Sequence, residues 1–324
     1  MLVNGRWTRA WEPVQAKDDK GRFVRQVSSF RHWVTPDGAP GPTGKGGFRA
    51  EPGRYHLYVA LICPWASRAL MARTLKGLED AVSVSVVEPF LGDQGWAFGD
   101  YPGAGPDPIN GAAYLHQLYT AADSAYTGRA TVPVLWDRQR ATIVSNESAD
   151  IVRMLNDAFE PWARSAVDLY PEALRSGIDA TNDAIYDSLN NGVYKAGFAT
   201  TQVAYDEAVV GVFETLGRLE DRFADGRRFV LGETLTETDL RLFVTLVRFD
   251  PAYHGLFKCN IRRLADYPRL SAYLARVRSL PGVEATVSID HIKAGYYSIK
   301  ALNPSGIVPA GPGEGWTARD ALAA

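Results

Sequence analysis

The stretch from Tyr55 to Leu78, YHLYVALICPWASRALMARTLKGL, constrains the fold of this chain more than any other. Residues 55 to 62 are apolar and β-prone enough for a buried strand, and from Cys63 onward the apolar spacing turns helical. Pro64 marks the boundary, because a helix's first turn tolerates a residue with no N–H and a fixed helical φ. Cys63 is thereby the expected N-cap, its sulfur facing unpaired backbone N–H groups and the positive end of the helix dipole. A thiolate suits that position. The dipole is worth at most ~2 kcal/mol and one pKa unit is about 1.4 kcal/mol, so it alone brings a thiol from ~8.5 to roughly 7. The competing reading is an inert buried thiol, the usual fate of cysteine, but the strand-Cys-Pro-helix setting favours a nucleophile. Redox cycling in a Cys-x-x-Cys pair is excluded, since Ala66 holds the second position.

Downstream, VSVSVVEP at 82–89 alternates β-branched residues and reads as a second strand, completing a strand-helix-strand unit with a right-handed crossover. Residues 90–130 form a polar, Gly- and Pro-rich insertion around Trp96, with a helix expected near 112–122. Residues 131–159 supply two short strands, a turn and an amphipathic helix. Pro133 sits inside a strand pattern, and a cis peptide after Val132 accounts for it. Asn146, Glu147 and Ser148 open the following helix, so that turn is an anion-binding end: N–H groups and Ser148 suit a carboxylate, and Glu147 suits an ammonium. The bland alternative is a plain helix cap. From 160 to about 295 the pattern is helical, with helices expected near 171–189, 202–224, 237–249 and 268–280. Thr236 is the expected N-cap of the third, with Asp239 at its third position and Leu235 stapled to Leu240. Tyr194, Tyr253 and Tyr296 lie among Gly, Asn and Pro, where side chains are less often fully packed.

These elements divide the chain into an arm (1–53) packed on the body through Trp7, Trp11, Phe23, Phe30 and Trp33, an α/β domain (54–160) with the insertion 90–130, and an all-helical domain (161–324) ending in an irregular tail. At 324 residues, 46% hydrophobic and 22% charged, the chain is long enough for two cores. A net charge of −2 argues against nucleic acid or an anionic membrane as main partner. No stretch has the length of a membrane span and the first residues lack a signal peptide's apolar core, so a cytoplasmic location is expected. Two cysteines, Cys63 and Cys259, and five histidines form no disulfide framework and no metal site, so no metal is expected. Cys259 reads as structural.

Together these pieces resemble a glutathione transferase: a thioredoxin-like α/β domain followed by an all-α domain. The strings GPTGKGGFRAEPGRYHLYVALICPWASR, YTGRATVPVLWD, IVSNESADI, NNGVYKAGFAT, LVRFDPAY and FKCN narrow the resemblance, from about residue 20 to 310, to the glutathionyl-hydroquinone reductases, the Xi class. The resemblance implies Cys63 as nucleophile, Trp96, Arg129, Val132, Glu147 and Ser148 as glutathione contacts, and Tyr194, Tyr253 and Tyr296 around an aromatic substrate. It also implies glutathione as co-substrate and a homodimer joined through the helical domains. Ser67 stands where many members carry histidine. Two other readings stay open: a cysteine-type thiol transferase or dehydroascorbate reductase, sharing the mixed-disulfide step, and a non-catalytic binding module on the same fold.

Overall fold

The computed structural model describes residues 1–8 and 16–312. Trp11 of the arm and the tail from residue 313 lie outside the described residues. The chain folds as anticipated into an α/β half and a helical half.

In the first half, strand β1 (Tyr55–Val59) leads through a two-residue turn into helix α1 (Pro64–Leu75) and returns as β2 (Val82–Val86), parallel to β1 in the register His56 with Ser83. After the insertion and its helix α2 (His116–Ala122), strands β3 (Val134–Asp137) and β4 (Thr142–Ser145) form an antiparallel hairpin. β3 pairs antiparallel with β1, so the sheet order is β4-β3-β1-β2 and β1 is interior. That position explains why all five of its residues are buried and why they read as a continuous apolar-aromatic run rather than an alternation. Helix α3 (Ser148–Asp157) follows β4 and packs on α1.

The helical half comprises α4 (Arg175–Ile185), α5 (Gly192–Gly197), α6 (Gln202–Arg222), α7 (Glu237–Leu246), α8 (Pro268–Arg278) and α9 (Ile289–Tyr297). Helix α1 packs on α7 as well as on α3, which makes the cysteine-bearing helix the joint between the halves. At the start of α7 the Thr236 N–H and hydroxyl both donate to Asp239 Oδ2, at 2.9 and 3.2 Å, as the sequence signature required.

Two of the expected helices are not continuous. The first ends at Ile185 and widens into a π-helical turn, Tyr186–Asn190, where the Asn191 N–H reaches Tyr186 O at 2.8 Å. The third ends at Leu246, and a second π turn, Phe249–Tyr253, follows. Pro251 inside that turn has no N–H to donate, so the hydrogen-bond ladder skips to i→i−5 around it, as in Tyr253 N–H to Arg248 O at 3.2 Å.

Residues 16–53 run over both halves. Arg22 forks onto Glu207 of α6 with bonds of 2.8 and 2.9 Å, and Arg31 pairs with Asp150 of α3. Phe23, Val34 and Phe48 bury their side chains against the body.

Candidate active site

Cys63 is the residue before α1, with extended backbone (φ −79°, ψ 117°) and Pro64 opening the first turn. It is half-buried on the wall of a cavity of about 590 Å³ that runs between the two halves. The same cavity is lined by Trp96, Arg129, Val132, Glu147, Ser148, Tyr194 and Tyr296, so the structure brings together all the sequence-predicted site residues except Tyr253. Tyr253 is fully buried one layer behind the wall.

The peptide between Val132 and Pro133 is cis, and the Val132 carbonyl faces the cysteine sulfur at 3.7 Å. Across the cavity, Glu147 caps α3 by accepting the Ala149 N–H at 3.1 Å, while Ser28 of the arm donates to its other oxygen at 2.9 Å. The turn therefore is a helix cap, and its Glu147 and Ser148 also line the cavity. Trp96 ends a short ribbon, Leu91–Gly92 with Gly95–Trp96, inside the insertion.

The thiol corrects one expectation. The Cys63 side chain does not form the helix's capping hydrogen bond. Burial pushes the Cys63 thiol above its ordinary value, while the N–H groups of Ala66 and Trp65 and the guanidiniums of Arg248 and Arg25 pull it down by less. The value near 7 inferred from the helix dipole counted the dipole and left out the desolvation imposed by the cavity wall. Cys259 is enclosed more completely, and burial pushes its thiol up to about 12, which fits its structural reading.

The tyrosines correct another. They are packed rather than loose, because the Phe257 ring lies against all three at centroid distances of 5.2 to 5.4 Å. Their hydroxyls run in series: Tyr194 to Tyr296 at 2.5 Å and Tyr296 to Tyr253 at 3.1 Å. Burial raises all three phenols, so they stay protonated. Three protons serve two internal bonds and leave one over. Arrangements in which Tyr253 donates to Tyr296 leave that last O–H on Tyr194 or on Tyr296, both on the cavity wall, whereas running the series toward Tyr253 strands it in the core. The arrangement supplies one hydrogen-bond donor to an oxygen in the cavity.

Sequence reasoning missed Arg248. It is 1% exposed and donates to Ile62 O and Leu61 O at 2.8 Å, to Val244 O at 2.7 Å and to the Ser67 hydroxyl at 2.7 Å. Ser67 in turn donates to Cys63 O at 3.0 Å. An arginine just after α7 thus clamps the turn before the cysteine from the opposite half, and Ser67 acts on the backbone of Cys63 rather than on its sulfur. The signal was present: an arginine closing the apolar run Leu242–Val247 within LVRFDPAY. Arg25 and Arg68, also on the cavity wall, had no local signal at all.

The model of the glutathione S-transferase N-terminal domain matches residues 62–158, and that of the C-terminal domain matches 202–276. Glutathionyl-hydroquinone reductase YqjG of Escherichia coli is 53% identical over 314 residues, which cover 96% of this chain and 95% of that protein. Glutathionyl-hydroquinone reductase PcpF of Sphingobium chlorophenolicum is 49% identical over 97% of this chain and 96% of its own. Among solved structures, glutathione-bound YqjG superposes with a TM-score of 0.88 at 50% identity, covering 98% of this chain and 96% of that one. The Xi transferase of Phanerochaete chrysosporium gives 0.87 at 47% identity, covering 92% and 95%. With identity at this level over nearly the whole length and the same fold throughout, the chain belongs to the glutathionyl-hydroquinone reductases, the Xi class of the glutathione transferases.

Proposed function

We propose that this enzyme reduces glutathionyl-hydroquinones to hydroquinones with glutathione, through a mixed disulfide on Cys63. The observation that carries the reading is one cavity in which a helix-start thiol, a Glu-Ser turn and a tyrosine hydroxyl series meet. Glutathione's glutamyl end sits at Glu147 and Ser148, with Trp96, Arg129 and the Val132 backbone along the rest of the tripeptide. The aromatic ring lies toward Tyr194 and Tyr296.

In the first step the Cys63 thiolate attacks the conjugate's sulfur. The S–S bond forms as the bond from sulfur to the ring breaks, and the electron pair of that bond goes to the ring. A bare aryl carbanion is too basic to leave at neutral pH. A ring hydroxyl ortho or para to sulfur allows a keto tautomer, with the proton already on carbon, so the pair ends on oxygen as a phenolate. The free O–H of the tyrosine series stabilises that oxygen as charge develops. In the second step a glutathione thiolate attacks the glutathione sulfur of the mixed disulfide and releases oxidised glutathione and Cys63 thiolate. The ring gains two electrons and a proton, and two glutathione sulfurs are joined. One protein thiol serves both steps, in accord with Ala66 at the fourth place of Cys-x-x-Ala.

Both cysteines are free thiols, which accords with a cytoplasmic setting, and no helix among the described residues is long and apolar enough to cross a membrane. A homodimer through the helical half is part of the same proposal.

The leaving-group chemistry sets the test. A fully O-methylated conjugate cannot tautomerise and should release no arene, and Tyr194→Phe should slow hydroquinone release about 10²-fold, in the range of a lost oxyanion donor, with less effect on discharge of the mixed disulfide. Arene release from the methylated conjugate at a rate comparable to the hydroquinone's would overturn the tautomer route.

A further inference from the structure

One wall of the cavity carries more donors than acceptors. Arg25 from the arm and Arg68 from α1 each set a guanidinium carbon 4.3 Å from the Trp65 ring centre. Each is held by a neutral partner next to the first π turn: Arg25 Nε donates to Asn191 Oδ1 at 2.8 Å and Arg68 Nη2 to Asn190 Oδ1 at 3.0 Å. Among the described residues neither guanidinium is in a salt bridge or hydrogen bond with a carboxylate, and Glu147 acts on Arg68 only through its charge. Three N–H donors are left over, Arg25 Nη2, Trp65 Nε1 and Arg68 Nε, all buried and without a hydrogen-bond partner.

Arg68 is 2% exposed and lines the cavity, and its leftover donor is sealed from bulk water. Each such donor has given up its hydrogen bond to water, a loss that is greater for a charged group and that stands unless an acceptor arrives. Burial and the nearby Arg241 pull the Arg68 guanidinium down to about 9, and the charge of Glu147 pulls it back by less. The cavity as a whole leans the same way: Arg25, Arg68, Arg129 and Lys300, with Arg241 already paired to Glu237 at 3.0 Å, line it against the single lining carboxylate of Glu147, in a chain whose net charge is −2.

We propose that Arg25, Trp65 and Arg68 form an anion subsite that takes a carboxylate carried by the aromatic half of the substrate. The placement rests on the reading that the ring lies against Tyr194, whose ring centre is 5.0 Å from the Arg25 guanidinium carbon and 6.5 Å from that of Trp65. Glutathione carries carboxylates of its own, the other source of this chemistry. In the proposed pose those face Ser148 with the start of α3 and Arg129, which leaves the three donors to the ring.

The experiment compares kcat/KM for the glutathione conjugates of hydroquinone and of 2,5-dihydroxybenzoate, with wild type, Arg25→Gln and Arg25→Lys, alongside calorimetric binding of the two free arenes. Wild type should favour the carboxylated conjugate about 10- to 100-fold, the range of one or two charge-assisted hydrogen bonds. Arg25→Gln should collapse that ratio toward one, whatever loss both conjugates share, and Arg25→Lys should keep part of it. Equal kcat/KM values in wild type overturn the subsite. An equal loss on both conjugates in Arg25→Gln, with the ratio preserved, also overturns it, by assigning the donors to glutathione. If neither conjugate turns over, the reductase reading itself has failed, and calorimetry decides the subsite alone. Tighter binding of the free acid that Arg25→Gln removes supports it, and no preference for the acid overturns it.

Discussion

A thiol at a helix start is pulled two ways, and in this chain the cavity wall pulls harder than the dipole. Attack rate does not depend on thiolate fraction alone, because nucleophilicity falls as a thiol's pKa falls, so a raised thiol is a stronger nucleophile when it does ionise. The pH dependence follows with a definite sign. Burial disfavours the thiolate, so alkylation of Cys63 by iodoacetamide should climb with pH to a midpoint above the ordinary ~8.5. Cys259 should stay unmodified in the native protein over the same range. A midpoint below 8 would show that the N–H groups and Arg248 outweigh burial. Peptide mapping separates the two cysteines. At this scale the sequence was informative about which residues matter and poor on their state. Cys63 and the Glu147-Ser148 turn were marked by local pattern, but desolvation depends on what packs around a group, and no local window contains that.

At the scale of elements, the site depends on two places where regular helix gives way. The π turn after α4 puts Tyr186 on the cavity and Asn190 against Arg68, and the one around Pro251 sets Tyr253 behind Tyr296. Apolar periodicity runs through such a turn with one residue's slip, which is why continuous helices over 171–189 and 237–249 were expected. The strand-helix-strand unit and the Thr236 cap were legible because their signals are local: a proline at a first turn and a carboxylate three residues past a threonine. The clamp by Arg248 was not: an arginine closing an apolar run was visible, but its partners in the other half, Leu61, Ile62 and Ser67, lie more than 180 residues away in sequence. Its removal has a readable cost. Arg248→Met leaves the carbonyls of Leu61, Ile62 and Val244 without this donor, so we expect a loss of about 2–4 kcal/mol in urea unfolding. Turnover per folded molecule should also fall, because the turn before Cys63 loses its tether. Arg248→Lys should recover a minor share of both, having one ammonium in place of a guanidinium fork. A stability within 0.5 kcal/mol of wild type in the methionine variant would remove the clamp from the account.

The whole molecule is held in register by α1, which packs on α3 in one half and α7 in the other, and by the arm that crosses both. Its division into two halves was legible from the change of period near residue 160, whereas the arm's contribution of Arg25 to the cavity was not, because that stretch has no periodicity to read. The proposed dimer belongs to this scale. Helix α6 exposes Val203 and Val210, two turns apart on one face, which accords with a partner on the helical half. Light scattering should return twice the 35.5 kDa of one chain, and Val210→Glu should shift the mass toward a single copy. A wild-type mass of one chain at micromolar concentration would contradict the dimer.

The central claim is that one cysteine accepts the glutathione group while the ring departs. It is met most directly by a single turnover with no glutathione added: enzyme in excess over glutathionyl-hydroquinone, quenched in acid, then intact mass, peptide mapping and quantitation of hydroquinone. The account predicts one hydroquinone released per conjugate, an equal amount of protein heavier by one disulfide-linked glutathione on Cys63, and neither in Cys63→Ser. Hydroquinone release without the Cys63 adduct, or release that survives in Cys63→Ser, would contradict it.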